Sequence, residues 1–132
     1  MRNSNALLAV RALKVIEDGN LAEIDELLDE HYIQHNDLGP GREPVKAMMV
    51  QLRSGLSRIA VHIHDVICEA DRVVARIEIE GQHTGTLFGA PATGRTIRIK
   101  AIDIWRVENG KLKEHWDSVD RLGMLQQLEL AR

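Results

Sequence analysis

The sequence predicts an α+β fold, with helices first and an antiparallel β-meander afterwards. Up to Gly55 the apolar residues recur at helical spacing. Beyond Gly55 they alternate with polar residues at a period of two, broken by short turn signals. The chain of 132 residues is expected to form a single domain, 1–132, with a sizeable core.

The first helix is "NALLAVRALKVIEDG", with Leu7, Leu8, Val10, Leu13, Val15 and Ile16 forming a broad apolar stripe that Gly19 ends. Asn20, with Glu23 three positions on, makes a capping-box start for "LAEIDELL". Tyr32 and Ile33, followed by "QHNDLGPG", read as the end of that helical stretch. "DLGPGREP" is a loop by its glycines and prolines. Pro44 opens a third helix with a core stripe of Val45, Met48, Met49, Leu52 and Leu56. Strands are expected at Ile59–Glu69, Arg72–Glu80, Gln82–Phe88, Arg95–Val107 and Lys111–Val119. "VENGK" is the last hairpin turn, and Asp120 caps a closing helix, "RLGMLQQLEL".

Composition excludes several classes of function. Apolar residues make up 44% and charged residues 28%, so the chain is built to fold. Net charge is −3 and the signs are interspersed, which argues against a nucleic-acid partner. The basic stretch "RTIRIK" alternates, as one solvated strand face does. No apolar run approaches the roughly 18 residues needed to span a bilayer, so no membrane partner is expected. The single cysteine, Cys68, cannot form an intrachain disulfide and the start lacks a signal-peptide apolar region, so the cytoplasm is expected; within "DVICEA" Cys68 reads as core filler. Glycines in "TGTLFGAPATG" lack a P-loop lysine and form no dinucleotide fingerprint. Aromatics are 3% of the chain, so a pocket would be lined by aliphatic side chains and methionine, Met48 and Met49 among them.

No metal is expected. His31 and His35 are four apart, but the helix that would align them is ending there. His62 and His64 share a strand face and read as half-exposed surface.

The fourth expected strand raises the functional question. Its odd positions, Ile97, Ile99, Ala101, Asp103, Trp105 and Val107, form the buried face, and Asp103 is the only charge on it. An ionised carboxylate there costs several kcal/mol unless paired. The following hairpin decides its company. A two-residue Asn109-Gly110 turn pairs Val107 with Leu112 and sets Asp103 opposite Trp116. A three-residue loop pairs Val107 with Lys111, sets Asp103 opposite His115 and Ala101 opposite Asp117, and gathers the acids on one face. Pattern alone leaves these two open.

The stretch "GQHTGTLFGAPATGRTIRIKAIDIWRVENGKLKEHWDSVD", followed by "LGMLQQL", resembles the SnoaL-like polyketide cyclases of the nuclear transport factor 2-like superfamily. "YIQHN" and "EADRVVARIEIEG" fit the same pattern, and the resemblance runs along almost the whole chain. It implies a cone: a curved antiparallel sheet around a deep apolar pocket, closed by the N-terminal helices. It also implies a homodimer through the outer sheet face, where Trp116 and Glu114 would lie. The aspartate of "HWD", here Asp117, is the family's general acid/base, which favours the three-residue loop with Asp117, His115 and Asp103 facing inward. Where the family's cyclases place a histidine and a glutamine on the neighbouring strand, this chain has Asp103 and Ala101. Asn36 matches a polar pocket position.

Two carboxylates in one apolar cavity divide their roles, one ionised as a base and the other holding a proton to donate. That suits proton abstraction beside a carbonyl, and also isomerisation or epoxide hydration, without a cofactor. The expected catalytic residues are Asp117 and Asp103. The expected substrate-binding residues are Tyr32, His35, Asn36, Met48, Met49, His83, Trp105 and His115, around a small apolar polyketide-, terpenoid- or steroid-like molecule. The competing reading is a non-catalytic ligand-binding or dimerisation module of the same fold.

Overall fold

The computed structural model describes residues 3–131. Helix α1 (Ser4–Asp18) starts where the Asn3 side chain accepts the Asn5 N–H at 2.8 Å, and stops at Gly19, whose φ of 72° is left-handed. Its inner face buries Ala9 and Val15 completely. Helix α2 (Ala22–Leu27) forms without the expected capping box: Leu21 is its N-cap, and Glu23 reaches across to Arg11 at 2.7 Å instead of folding back. The Asn20 N–H is already taken by Asp18 Oδ1 at 2.8 Å, so Glu23 has no donor to return to.

The chain then enters strand β1 (Leu28–Gln34), where the sequence read as helix running out. β1 pairs in parallel with the last strand, a distant partner that local periodicity does not report. Helix α3 (Glu43–Gly55) starts one residue before the expected Pro44, which lies in its first turn, and buries Val45, Met49 and Leu52. Strands β2 (Leu56–Glu69), β3 (Arg72–His83), β4 (Thr96–Glu108) and β5 (Lys111–Val119) follow, and the sheet order is β1-β5-β4-β3-β2. All pairs but β1–β5 are antiparallel.

The expected strand Gln82–Phe88 does not exist. β3 continues to His83, after which the N–H groups of Thr84 and Gly85 both donate to the Gly55 carbonyl at 3.1 Å. The end of α3 thus captures donors that a further strand would need. A Cβ at Gly85 would overlap the Ser54 carbonyl, so glycine permits this approach. Residues 84–95 form a loop, closed on itself where Leu87 and Ala90 exchange backbone hydrogen bonds.

Two register shifts bend β2 against β3, one beside Arg58, whose φ is 51°, and one between Ile63 and Asp65. The resulting curved sheet carries its apolar side chains inward against α1 and α3. Helix α4 (Arg121–Gln127) closes the chain, with the Asp120 side chain accepting the Gly123 N–H at 3.0 Å. Among the described residues no helix is long and apolar enough to cross a membrane.

The last hairpin departs from both expected registers. The turn is the two-residue one: Glu108 pairs with Lys111 and Val107 with Leu112, while Asn109 and Gly110 have φ of 51° and 72°. Both central residues lie in the left-handed region, as a type I′ turn requires. A continuous ladder from that turn would set Asp103 opposite Trp116. Instead, a bulge leaves Lys113 unpaired and sets Arg106 opposite Glu114. From there Trp105 faces His115 and Asp103 faces Asp117. The three-residue turn is therefore incorrect, yet the inward aim of all three polar residues is what the structure has.

Candidate active site

A cavity of about 430 Å³ lies between the inner sheet face and the helices, within the size range of small-molecule sites. Apolar walls come from α1, α3 and the sheet, including Met48, Met49, Ile77 and Ile99. Polar groups come from β1, β4, β5 and the turn after β1. Alternation along β1 aims Tyr32 and Gln34 inward, and Asn36 follows on the same side. Asp103 and Trp105 come from β4, and His115 and Asp117 from β5.

These groups form two hydrogen-bonded arms. In the first, His115 bridges Gln34 and Asp103: its Nδ1 is 2.7 Å from Gln34 Oε1 and its Nε2 is 2.8 Å from Asp103 Oδ1. His115 and Asp103 are 6% and 8% exposed. The His115 ring packs against Trp105 at 5.0 Å between centroids, and Trp105 Nε1–H donates to the Tyr32 hydroxyl at 2.9 Å. In the second arm Asn36 Nδ2 donates to Asp117 Oδ2 at 3.0 Å, while Asp117 Oδ1 has no hydrogen-bond partner among the described residues. Asp103 is thus tied through its histidine, and Asp117 keeps one oxygen free at the chamber surface.

Burial pushes the Tyr32 phenol far above its ordinary value. The hydrogen bond from Trp105 opposes that shift, and the nearby Asp103 and Asp117 charges add to it. Tyr32 therefore stays a neutral hydroxyl. One ligand atom each from Asp103, His115 and Asp117 lies within 4.8 Å of the others, close enough to hold a cation. Both ring nitrogens of His115 are already engaged, however, so metal ligation would require breaking its link to Asp103 or Gln34.

Two expected pocket residues lie elsewhere. His35 falls between Gln34 and Asn36, so strand alternation turns it outward: its ring stacks on Trp116 at 4.8 Å, and its Nε2 is 2.7 Å from Glu114 Oε2. His83 is fully buried on the inward row of β3, but the 84–95 loop covers it away from the chamber, with Nδ1 accepting the Thr93 N–H at 3.2 Å. Tyr32, Asn36, Met48, Met49, Trp105 and His115 all line the chamber. The sequence reading missed Gln34, Phe88 and Arg121. Gln34 was detectable, since it shares parity with Tyr32 and Asn36; the other two reach the chamber only through the path of a loop and the docking of α4.

On the outer face, Glu114 is bound by Arg106 Nε at 2.8 Å as well as by His35. The Arg106 bond, then the His35 bond, hold the Glu114 carboxyl below its ordinary range. Arg72 sits 4.9 Å over the Trp116 ring.

The SnoaL-like polyketide cyclase family model matches residues 6–128. Aklanonic acid methyl ester cyclase DnrD of Streptomyces peucetius is 30% identical over 128 residues, covering 92% of this chain and 88% of the relative. TsrD from Streptomyces laurentii superposes with a TM-score of 0.89 at 30% identity, covering 98% of each chain. IdmH from Streptomyces antibioticus, at 22% identity and a TM-score of 0.83 over 96% of this chain and 99% of its own, shares the fold.

Proposed function

Because this chain belongs to the SnoaL-like polyketide cyclase family, we propose that it is a cofactor-independent acid/base cyclase of a small, largely apolar polyketide-like molecule. The observation that carries this reading is the Asp103–Asp117 pair, directly opposed across β4 and β5 and facing an apolar chamber. Asp117 is the general base. Asn36 fixes one of its oxygens, and the free Oδ1 takes a proton from the carbon beside a substrate carbonyl. Gln34 Oε1 can only accept, so His115 Nδ1–H donates to it; the Asp103–His115 pair holds one proton between Oδ1 and Nε2 and supplies it to the developing enolate oxygen. The enol carbon then attacks a second carbonyl of the same molecule, the enol proton returns to the Asp103–His115 pair as the first carbonyl re-forms, and protonated Asp117 delivers its proton to the new alkoxide. Apolar walls exclude water that would quench the enolate.

Asp117→Asn keeps the Asn36 contact and removes the base. Turnover of a cyclising substrate should fall by about 10²–10⁴-fold, the range of general-base contributions, with ligand affinity retained. An unchanged rate would remove Asp117 from the mechanism.

The working unit we propose is a homodimer joined through the outer sheet face. Ile67, Val74, Ile104 and Trp116 are paired neighbours in successive strands and make one apolar row across that face. Ile67 is 62% exposed, and Ile102 beside the row is 45% exposed.

A further inference from the structure

We infer that Arg121 at the chamber mouth recognises an anion, so that the substrate is an apolar carboxylic acid held with its carboxylate at the rim and its reacting carbon inside. This deepens the acid/base reading above and rests on it for the use of the chamber.

Arg121 follows the Asp120 cap and lines the cavity. Among the described lining residues it is the only arginine or lysine; the acidic residues of the lining are Asp103 and Asp117. Its one ion-pair contact is weak: Nη1 lies 3.6 Å from Asp37 Oδ2, with the two side chains 65% and 90% exposed. Such a solvated pair is worth little, so the guanidinium remains free to exchange partners. Asp37 directly follows Asn36, which holds Asp117, and Leu38 also lines the cavity. The mouth is therefore framed by the turn after β1 on one side and the start of α4 on the other, with a loose, displaceable ion pair between them.

A carboxylate does not bury among apolar walls beside two acids, because desolvation and like charge both oppose it. At the rim it keeps part of its hydration and meets a planar fork that matches its two oxygens. The charges thereby orient the ligand: the acids inside repel an anionic end and the arginine outside retains it. Between Asp117 and Asp120 the nearly extended chain spans about 10 Å at a rise of about 3.3 Å per residue. A flat fused-ring acid of comparable length therefore serves as the probe. Such an acid differs from the methyl ester for which the Streptomyces peucetius relative is named.

The test compares anthracene-2-carboxylic acid with its methyl ester by fluorescence titration of the full chain, at low and physiological salt. The acid should bind about fivefold tighter or more at low salt, the worth of one partly exposed ion pair, and the margin should shrink with salt. Arg121→Gln should raise the Kd of the acid to that of the ester and leave the ester unchanged, whereas Arg121→Lys should keep part of the preference. The residue is exposed, so thermal melts of both variants should match the parent. Methyl NMR should show the acid perturbing the Ile77, Ile79 and Ile99 δ1 signals that face the chamber. Equal affinities in the parent, no binding of the acid up to millimolar concentration, a preference that survives Arg121→Gln, or perturbations confined to Ile67 and Ile102 on the outer face would each overturn the inference. All of these are equilibrium measurements, so their failure would leave the role of Asp117 in turnover standing, and the reverse holds as well.

Discussion

Asp103 and Asp117 sit opposite each other, but their immediate neighbours divide the labour between them. Asp103 is buried against His115, while Asp117 has one oxygen anchored by Asn36 and one free. The parity of β4 pointed to Asp103 from sequence alone, since it is the only charge on an apolar face. Parity along Tyr32, Gln34 and Asn36 would likewise have excluded His35, had that stretch read as strand. Tyr32 is the only tyrosine in the chain, so its ionisation can be followed directly by near-ultraviolet absorbance. Its phenol should remain protonated in the folded protein well beyond the ordinary tyrosine value of 10.0. The unfolded chain loses that proton near 10, so at higher pH it binds fewer protons than the folded chain, and stability falls as pH rises. Phenolate absorbance should therefore appear together with loss of circular dichroism. A tyrosine that titrates near 10 in folded protein would contradict the buried Tyr32–Trp105 contact.

At the scale of elements, the β4–β5 hairpin shows how one unpaired residue changes a site. The Asn-Gly turn is legible in the sequence, but the bulge at Lys113 is not. Nothing in "KLKEHW" marks which residue drops out of the ladder, because the choice is made by packing on both faces. Leu112 is fully buried and so is His115 nearly, although their positions have opposite parity; only an extra residue between them lets both point inward. Lys113 then reaches Asp29 of β1 at 3.2 Å, which ties the bulge to the edge strand. At the turn itself, Gly110 has φ of 72° with open space where a Cβ would sit, so substitution meets backbone strain and no clash. Gly110→Ala should cost about 1–2 kcal/mol, the price of an L-residue in the left-handed region, read from urea unfolding. A neutral effect would argue against the two-residue turn. The missing Gln82–Phe88 strand has the same kind of cause. Its alternation is genuine, but the Gly55 carbonyl takes the Thr84 and Gly85 donors and bends the chain into a loop.

For the whole molecule, the sheet has two faces with different duties. The inner face, with the helices, forms the chamber; the outer face carries the row Ile67, Val74, Ile104 and Trp116. Ile104→Asp places a charge in the middle of that row without touching the chamber. It should shift the protein from dimer to monomer in sedimentation analysis while the thermal melt stays cooperative. A parent protein that already sediments as a monomer would refute the interface. The sequence by itself determined the α+β class with its antiparallel meander, the inward parity of β4 and the helices that cover the sheet, because those follow from short-range periodicity and caps. Only the tertiary structure decided that β1 is a strand, that a bulge sets Asp117 opposite Asp103, and that His35 and His83 lie away from the chamber while Gln34 and Arg121 reach it. Each of those outcomes depends on a partner far along the chain, and a local pattern carries no information about which distant surface will offer the better packing or hydrogen bonds.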